Sequence, residues 1–373
     1  MKIALVLDQL LTTSGAERIF QYMIEEFSEA DVYAVAYNPE TTWPALRNYK
    51  IKTKWWSNYL ITNHNRYKLF FPVISQIMNR WDLMDYDLII SSSGTIVKYL
   101  SVFKCPHICY CFVPTRAIWN SAEYFGNHDF KSRVFRAFLT YFQHQDIAAS
   151  KRVTHYITIS EYSRQAIKKI YNRDSEIIFC PIDFDNFYQG SFEKKHDYFL
   201  IVSRLEHWKR LDYAIEAFNL SGYPLKIIGS GNDANHLKSI AKHNIEFIGN
   251  VDDRSLAIEY GRARAVIFTP ELEYGLVPLE ANAAGTPVIA YGKGAINETM
   301  VPVGKKNKHT ALFFYEQSTD SLIEAIKKFN HIDFIREDII EHAAQWKVDS
   351  FKKKIRDYVN IILAEHTHGH MNK

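Results

Sequence analysis

Short apolar runs alternate with amphipathic segments along nearly the whole chain, and this alternation limits the fold more than any other feature. Residues 2–8 are typical of a buried strand, and apolar side chains then recur at helical spacing, at Ala16, Ile19, Phe20, Met23, Ile24 and Phe27. Further strand candidates of the first half lie at 31–37, 86–93, 107–112, 155–160 and 176–181. Strands separated by helices pair in parallel, so the pattern predicts an α/β fold with helices covering parallel sheets.

The series restarts after a polar stretch at 188–197, with strand candidates at 198–205, 224–229, 245–251, 264–270, 286–291 and 311–315. A chain of 373 residues is long enough for two cores. We therefore predict two Rossmann-like domains facing a central cleft, at 1–187 and 188–348. An apolar stripe predicts a last helix at 349–365 that packs back on the N-terminal domain, and residues 366–373 are predicted to form a solvated tail.

The composition is that of a globular protein, with 47% apolar and 23% charged residues. A net charge of +3 does not favour nucleic acid as a partner. We expect neither a signal peptide nor a membrane-spanning segment, which indicates a cytoplasmic protein. No metal site is expected, because the cysteines are interpreted as buried apolar residues of a reduced protein, at Cys105, Cys109, Cys111 and Cys180.

Basic and aromatic residues are mixed in the segment 115–142. The spacing of its apolar residues is typical of a core helix, at Phe130, Val134, Phe135, Phe138, Leu139, Tyr141 and Phe142. Lys131, Arg133 and Arg136 also allow a basic, aromatic helix that rests on the inner face of a membrane, where a lipid-linked acceptor would be found. Both interpretations stay open.

Two strand–helix junctions offer groups that bind anions. Gly15 stands just before the first helix, and a helix start presents amide groups that have no partner within the helix. Arg204 follows a strand and Lys209 precedes a helix, so both side chains can converge on one diphosphate. An exposed basic turn with ordinary salt bridges is the alternative for this second junction.

A glycine motif adds an alternative from another class of enzyme. Gly229, Gly231 and Ala234 fit the dinucleotide-binding fingerprint, with Asp252 or Asp253 about twenty residues downstream. An NAD-dependent oxidoreductase is therefore considered. The fingerprint normally opens a domain, whereas here it lies on the second strand of its domain, which counts against this interpretation.

The most informative stretch runs from residue 266 to residue 300. A strand ends at Thr269–Pro270, and a loop with Gly275 then leads into a helix that contains Glu280. This order aims the amides of residues 275–277 at an anion. A carboxylate on an otherwise apolar helix needs a partner, and a ribose diol would supply two hydrogen bonds to Glu280.

Taken together, these segments resemble the retaining glycosyltransferases of family 4, which have the two-domain GT-B fold. The matching segments are SRLEHWKR at 203–210, GSGND at 229–233, FIGNVDD at 247–253, the run 273–299, and upstream SGAER at 14–18, YCFVPTRAIW at 110–119 and ITISEYSRQAIKKIY at 157–171. Residues 110–119 and 283–299 are most similar to bacterial O-antigen and polysaccharide mannosyltransferases.

The resemblance implies a role for each matching residue. Arg204 and Lys209 would bind the diphosphate of a nucleotide-sugar donor and act in catalysis, and Glu280 would hold its ribose. The other donor contacts would come from Gly15, Val251, Gly275, Leu276 and Val277. The basic and aromatic mixture of 115–142 predicts that this segment lines the acceptor side, with Arg116 and Trp119 facing the cleft.

Two positions depart from the family pattern on the sugar side of the site. Leu272 stands where the first of two glutamates is usual, with Glu271 and Glu273 as neighbours that are candidate sugar contacts. Phe112 stands where the family often has histidine. Nucleotide binding is therefore a firmer expectation than the identity of the sugar.

The resemblance implies transfer of a hexose with retention, best matched by mannose from GDP-mannose, to a glycan or lipid-linked acceptor in surface polysaccharide and lipopolysaccharide synthesis. A UDP-hexose is the alternative donor. Arg204 and Lys209 would stabilise the leaving diphosphate, so neither metal nor cofactor is expected. A sugar-nucleotide epimerase of the same fold and a non-catalytic relative that only binds the nucleotide sugar stay open as alternative functions.

Overall fold

The computed structural model describes residues 1–61, 81, 83–92, 96–101, 104–120, 133–305 and 308–371. The chain divides into two compact units. The first comprises Met1–Cys180 together with Phe351–Lys373, and the second comprises Pro181–Ser350. Each unit contains its own parallel sheet, as the alternation of strand and helix patterns predicts.

The sheet of the first unit has the strand order β3-β2-β1-β4-β5-β6-β7, and all its pairings are parallel within the described residues. The strands are β1 Ile3–Leu10, β2 Asp31–Tyr37, β3 Ile51–Lys52, β4 Leu88–Ser92, β5 His107–Cys111, β6 His155–Thr158 and β7 Glu176–Ile177. The helices are α1 Gly15–Glu26, α2 Trp55–Leu60, α3 Arg116–Trp119, α4 Arg133–Ser150 and α5 Glu161–Tyr171, with 3-10 turns at Pro44–Asn48 and Val97–Tyr99.

The core of this unit is built from the predicted apolar patterns. Residues 3–7 of β1 are buried, which is expected of a central parallel strand with a layer on both faces. The predicted apolar face of α1 is buried at Ile19, Phe20, Met23, Ile24 and Phe27. The short edge strand β3 was not predicted, because two residues are too few to show an alternating pattern.

The sheet of the second unit has the order β10-β9-β8-β11-β12-β13 and is parallel throughout its described pairings. Its strands are β8 Phe199–Val202, β9 Leu225–Ile228, β10 Ile245–Gly249, β11 Val266–Phe268, β12 Val288–Tyr291 and β13 Ala311–Phe314. Its helices are α6 Phe184–Tyr188, α7 Asp212–Ser221, α8 Ala234–Ile240, α9 Asp253–Arg262, α10 Leu276–Ala283, α11 Ile296–Thr299, α12 Thr319–Phe329 and α13 Arg336–Ala343. The 3-10 turns lie at Gln189–Phe192, His207–Lys209 and Ala344–Trp346.

The last helix, α14 at Val348–Met371, belongs to the first unit from Phe351 onward, which confirms the predicted return of the chain. Its apolar stripe is buried at Phe351, Ile355, Val359 and Ile362. Ion pairs attach it to α1, because Lys352 Nζ lies 2.7 Å from Glu25 Oε2 and Arg356 Nε lies 2.6 Å from Glu26 Oε1.

The predicted tail is wrong for residues 366–371, because α14 continues through them. The expected helix end at 365 followed the apolar stripe, which stops at Leu363. A helix that is already nucleated adds polar residues at little cost, since each new residue brings one backbone hydrogen bond. The ring of His366 also lies 3.2 Å from the carbonyl oxygen of Lys104.

The second unit begins at Pro181 and not at 188 as predicted, and it includes the polar stretch 188–197. The amide of Ile182 donates to the carbonyl oxygen of Trp346 at 2.9 Å, and Phe184 and Phe187 of α6 are buried. Gly190 packs so closely on α9 that an added Cβ would lie 2.0 Å from the carbonyl oxygen of Ala257. The polar composition does not indicate this packing, because the contacts are made by backbone atoms and by a glycine.

The described residues contain no helix that is long and apolar enough to cross a membrane. On α4, Phe142 is buried, whereas Phe138 is 47% exposed and Tyr141 is 51% exposed. A core helix with a wide buried apolar face is therefore wrong for these two aromatic residues. Phe130 and Lys131 lie outside the described residues, as do the side chains of Arg133, Val134, Phe135 and Arg136.

Candidate functional site

A pocket of about 220 Å³ lies in the second unit where β8 and β11 end. These two strands are neighbours, and the chain continues from β8 to β9 on one side and from β11 to β12 on the other. Ligands of open parallel sheets bind at such a reversal of strand order, beyond the carboxyl ends of the strands. The pocket is lined by residues 201–204, Lys209, residues 267–270, Leu272 and residues 274–277.

The two predicted cations both line this pocket. Arg204 follows β8 directly, and Lys209 ends the 3-10 turn before α7. The indole ring of Trp208 lies beside both, because its centroid is 5.6 Å from the Arg204 Cζ and 4.3 Å from the Lys209 Nζ. The hydroxyl of Thr269, at the end of β11, donates to the carbonyl oxygen of Lys209 at 2.7 Å and so fixes the turn to the strand. Trp208 and Thr269 are functional candidates that the sequence analysis missed.

The neighbouring cation, Arg210, is partly exposed and is paired within the protein. Its guanidinium donates two hydrogen bonds to Asp212, at 3.1 and 3.2 Å, and it is not among the pocket-lining residues. Its backbone is left-handed, with φ of 54°, which is unusual for a residue other than glycine. The chain therefore turns sharply after Lys209, and Arg210 and Lys209 have separate roles.

The glycine motif after β9 packs against the segment that carries Arg204. A Cβ on Gly229 would lie 1.9 Å from the carbonyl oxygen of Ser203, and one on Gly231 would lie 2.2 Å from that of Leu205. The amide of Leu205 also donates to the carbonyl oxygen of Ser230 at 2.9 Å. Close packing between two loops thus explains both glycines. The glycine motif therefore no longer supports an NAD-dependent oxidoreductase.

The start of α10 is suited to bind an anion. Gly275 is its N-cap residue, and glycine has no side chain with which to cap the amides that follow. Gly275, Leu276 and Val277 all line the pocket. A side chain at 275 would be crowded, because a Cβ there would lie 3.0 Å from the ring of Phe268. Backbone amides and the helix dipole therefore face the pocket that also contains the two cations.

Glu280, one turn further along α10, does not line the pocket and has a partner within the protein. The buried Tyr260 hydroxyl donates to its Oε2 at 2.8 Å. Burial and the nearby Glu280 carboxylate raise the pKa of Tyr260 well above its ordinary value, so its hydroxyl is a stable donor. The sequence predicts a bound ribose as the hydrogen-bond partner of this carboxylate. It does not indicate Tyr260, because that residue lies on another helix.

The remaining predicted contacts of the second unit lie outside the pocket lining. Val251 is half-buried in the loop after β10, Glu271 is exposed, and Glu273 is buried. Leu272 itself lines the pocket, and its backbone pairs with Gly294, since the Ala295 amide donates to the Leu272 carbonyl oxygen at 2.9 Å. An apolar side chain thus stands at the pocket wall where the family has a carboxylate.

In the first unit, Gly15 begins α1, but the loop before it already contains an anion. The buried Glu17 carboxylate accepts the backbone amides of Leu11, Thr12 and Ser14 at 2.9 to 3.1 Å. Burial raises the pKa of Glu17, although these hydrogen bonds oppose the shift. Gly15 is partly exposed beside this filled loop.

The predicted acceptor-side residues lie on α3 of the first unit. Arg116 is its first residue, and Trp119 is its last, with the indole N–H turned inward to donate to Asp146 Oδ2 at 2.8 Å. Phe112 follows β5, and its ring packs on Tyr110. The four cysteines are free thiols, and the described residues contain no group of three side chains placed to bind a metal ion.

Two parallel Rossmann-type sheets, with two cations and a glycine-capped helix start at the strand-order reversal of the second, define a protein of the doubly wound α/β class. Residues 183–346 match the family described as glycosyl transferases group 1. This match covers most of the second unit, including the whole pocket.

Individual proteins are similar to this chain at low sequence identity. The O-antigen chain mannosyltransferase RfbU of Salmonella typhimurium is 26% identical over 229 residues, which are 56% of this chain and 60% of that protein. The chain thus spans less than two thirds of the length of the first curated relatives that it matches.

Solved structures match over nearly the whole chain. Sucrose-phosphate synthase of Thermosynechococcus elongatus aligns with a TM-score of 0.73 and 14% identity, over 98% of this chain and 100% of that one. HepE of Anabaena, in complex with UDP and glucose, aligns with a TM-score of 0.68 and 15% identity, over 96% and 99%. The fold is therefore the two-unit GT-B fold of glycosyltransferases, as predicted.

Proposed function

We propose that this protein is a glycosyltransferase that uses a nucleotide-sugar donor and binds the donor diphosphate in the pocket of the second unit. The observation that carries the proposal is the convergence of Arg204, Lys209 and the uncapped start of α10 on one pocket. A diphosphate matches this set, because it is an anion with several oxygen atoms that can accept hydrogen bonds from two cations and from backbone amides.

The same groups support a mechanism of transfer. The bond between the anomeric carbon and the diphosphate oxygen breaks, and its electron pair stays on the diphosphate. The acceptor hydroxyl oxygen forms the new bond to the anomeric carbon, and its proton passes to an oxygen of the departing diphosphate. Negative charge on the leaving diphosphate grows as the bond breaks, so Arg204, Lys209 and the amides of residues 275–277 stabilise the transition state more than the bound donor.

The donor that we propose is GDP-mannose, used with retention of configuration. The support is the sequence similarity to RfbU, whose name describes an O-antigen chain mannosyltransferase, and the likeness to mannosyltransferases at 110–119 and 283–299. A UDP-hexose is the second candidate, because HepE, which has the same fold, was solved with UDP and glucose. The corresponding acceptor is a glycan or a lipid-linked glycan in surface polysaccharide synthesis.

Calorimetric titration of the full chain with GDP and with UDP, followed by turnover of the matching radiolabelled sugar nucleotides, tests the proposal. We expect binding of one nucleotide, retained when EDTA is present, and transfer of label to a panel of octyl hexosides as acceptors. Binding of UDP without GDP would replace mannose by the second candidate. No binding of either nucleotide would overturn the donor site, and tight binding with epimerised donor and no transfer would identify an epimerase.

We further propose that the protein works in the cytoplasm at the inner face of a membrane. The exposed aromatic residues Phe138 and Tyr141 on α4 support a contact with lipid, because aromatic rings favour the interface of a bilayer. Sedimentation with vesicles that contain anionic phospholipid is the test. The wild type should cosediment, and Phe138→Ser/Tyr141→Ser should stay in the supernatant. Equal behaviour of both proteins would remove this surface from the proposal.

A further inference from the structure

A buried ion pair lies in the first unit, whereas the residues that the proposed chemistry uses belong to the second unit. Asp146 of α4 is 0% exposed, and Lys98 of the turn Val97–Tyr99 is 2% exposed. The Lys98 Nζ lies 3.0 Å from Asp146 Oδ1. Two buried charges lose their hydration, and their attraction rarely outweighs that loss when apolar residues of similar size are the alternative. Global stability is therefore a weak explanation for this pair.

The Asp146 carboxylate holds both ends of α3. Its Oδ2 accepts the indole N–H of Trp119, the last residue of α3, at 2.8 Å, and its Oδ1 lies 3.2 Å from the hydroxyl of Thr115, the N-cap residue. Lys98 also donates to the Thr115 oxygen at 2.8 Å, and the Tyr171 hydroxyl donates to Oδ2 at 2.6 Å. A helix of one turn has few hydrogen bonds of its own, so these contacts determine its position.

Lys98 and Tyr171 keep their protons. Burial lowers the pKa of Lys98, but the Asp146 carboxylate and the other groups around the ammonium together outweigh burial, so that pKa is raised. Burial and the same carboxylate raise the pKa of Tyr171. The ammonium group therefore stays charged, and the tyrosine hydroxyl stays a donor.

The cluster is anchored to the sheet at the edge where α/β proteins bind ligands. Lys98 follows β4 and Thr115 follows β5, and these strands are neighbours. The Asp8 carboxylate of β1 accepts the backbone amides of Ile96 and Val97, at 3.0 and 2.9 Å, and so holds the turn that carries Lys98. The position of α3 is thus set from β1, β4 and α4 together.

We infer that Asp146 and Lys98 are positioning residues that fix α3, and with it Arg116, for use of the acceptor. The inference rests on the proposed function, because it assigns this edge of the first unit to the acceptor. Neither residue contacts substrate. Asp146 acts through Thr115 and Trp119, and Lys98 neutralises the carboxylate while it holds Thr115.

Two variants of the full chain separate positioning from stability. Asp146→Asn keeps the shape but leaves the Lys98 ammonium buried without its counter-charge, so we expect a lower melting temperature. Lys98→Met/Asp146→Asn removes both charges and should recover most of the melting temperature. Asp31→Asn is the matched control, because Asp31 also pairs with a lysine and a tyrosine, Lys52 at 2.7 Å and Tyr86 at 2.5 Å, at the start of β2.

Hydrogen exchange of peptide 113–120 measures the fixation of α3, whose amides at Ile118, Trp119 and Asn120 donate within the turn. Both Asp146 variants should exchange these amides about tenfold faster than the wild type or Asp31→Asn. With octyl hexosides as acceptors, both should also lose roughly tenfold in acceptor kcat/KM, while nucleotide affinity, a property of the second unit, stays the same.

The inference would be overturned if the double variant recovered the slow exchange of peptide 113–120 and the acceptor kcat/KM together with its melting temperature. It would also be overturned if this exchange were unchanged in both variants. Loosened amides with wild-type acceptor use would refute the role in acceptor positioning. A wild type that binds no nucleotide and transfers no sugar would instead refute the proposed function, and the exchange rates would still decide whether the pair fixes α3.

Discussion

Loss of the two pocket cations should lower the rate of transfer and not only the affinity for the donor. Arg204 is exposed, and Lys209 is partly exposed, so Arg204→Ala and Lys209→Ala should fold normally. Each variant also loses a contact with the Trp208 ring, which is worth about 0.5–1 kcal/mol at exposed sites.

The expected magnitude follows from the contacts that each cation can make. A hydrogen bond between a cation and a phosphate oxygen contributes roughly 1.5–3 kcal/mol, which corresponds to about 10- to 150-fold in binding. The loss in kcat/KM should be larger than the loss in nucleotide affinity, because the leaving diphosphate gains charge in the transition state. The two losses should not add fully, since both cations act on one diphosphate and share one ring.

Steady-state kinetics with radiolabelled donor, titration with the free nucleotide and thermal melts measure these three quantities. Arg210→Asn is the control, because Arg210 is a cation of the same turn that is bound to Asp212, and asparagine tolerates its left-handed backbone. The control should bind nucleotide within about twofold of the wild type. Near wild-type kcat/KM in a folded Arg204→Ala/Lys209→Ala variant would refute the assignment of this pocket.

Further substitutions test the surroundings of the pocket and the filled loop of the first unit. Tyr260→Phe and Glu280→Ala should each weaken nucleotide binding with a smaller effect on kcat, because Glu280 is proposed to hold the ribose and Tyr260 is bonded to Glu280. A fall in kcat from kinetics as large as the fall in affinity from titration would contradict this. Gly231→Ala should cost about 1–3 kcal/mol in urea unfolding and weaken nucleotide binding, because its Cβ meets backbone 2.2 Å away, whereas Gly222→Ala, with open space around it, should leave binding unchanged. Burial raises the pKa of Glu17 above 4.5, so its contribution to stability is full below that pH and falls as the pH rises through the higher folded-state pKa. The wild type should therefore lose stability relative to Glu17→Gln over that range, and a constant difference in urea unfolding at each pH would disprove the shift.

The sequence predicted the fold well because the apolar periods are local. Every predicted strand is present, and the stripe of the last helix identified its return to the first unit. The start of the second unit was placed too late, because the contacts that attach residues 181–187 to it join parts distant in sequence. The Ile182 amide donates to the carbonyl oxygen of Trp346, and Phe184 and Phe187 are buried. Local composition does not indicate such contacts.

The candidate site was predictable where function follows from position on a strand end or a helix start, as for Arg204, Lys209 and residues 275–277. The site was not predictable where the hydrogen-bond partner of a side chain lies on another helix. Glu280 is bonded to Tyr260 of α9, and Trp119 is bonded to Asp146 of α4. Spacing along the chain does not show which donor meets which carboxylate, since that choice depends on the packing of helices.

The two helix starts that follow a central strand differ in electrostatic state. At α1 the Glu17 carboxylate accepts the amides of the preceding loop, whereas at α10 the N-cap residue is Gly275, which has no side chain for that role. An external anion would therefore compete with a carboxylate of the protein at α1 but with no N-cap side chain at α10.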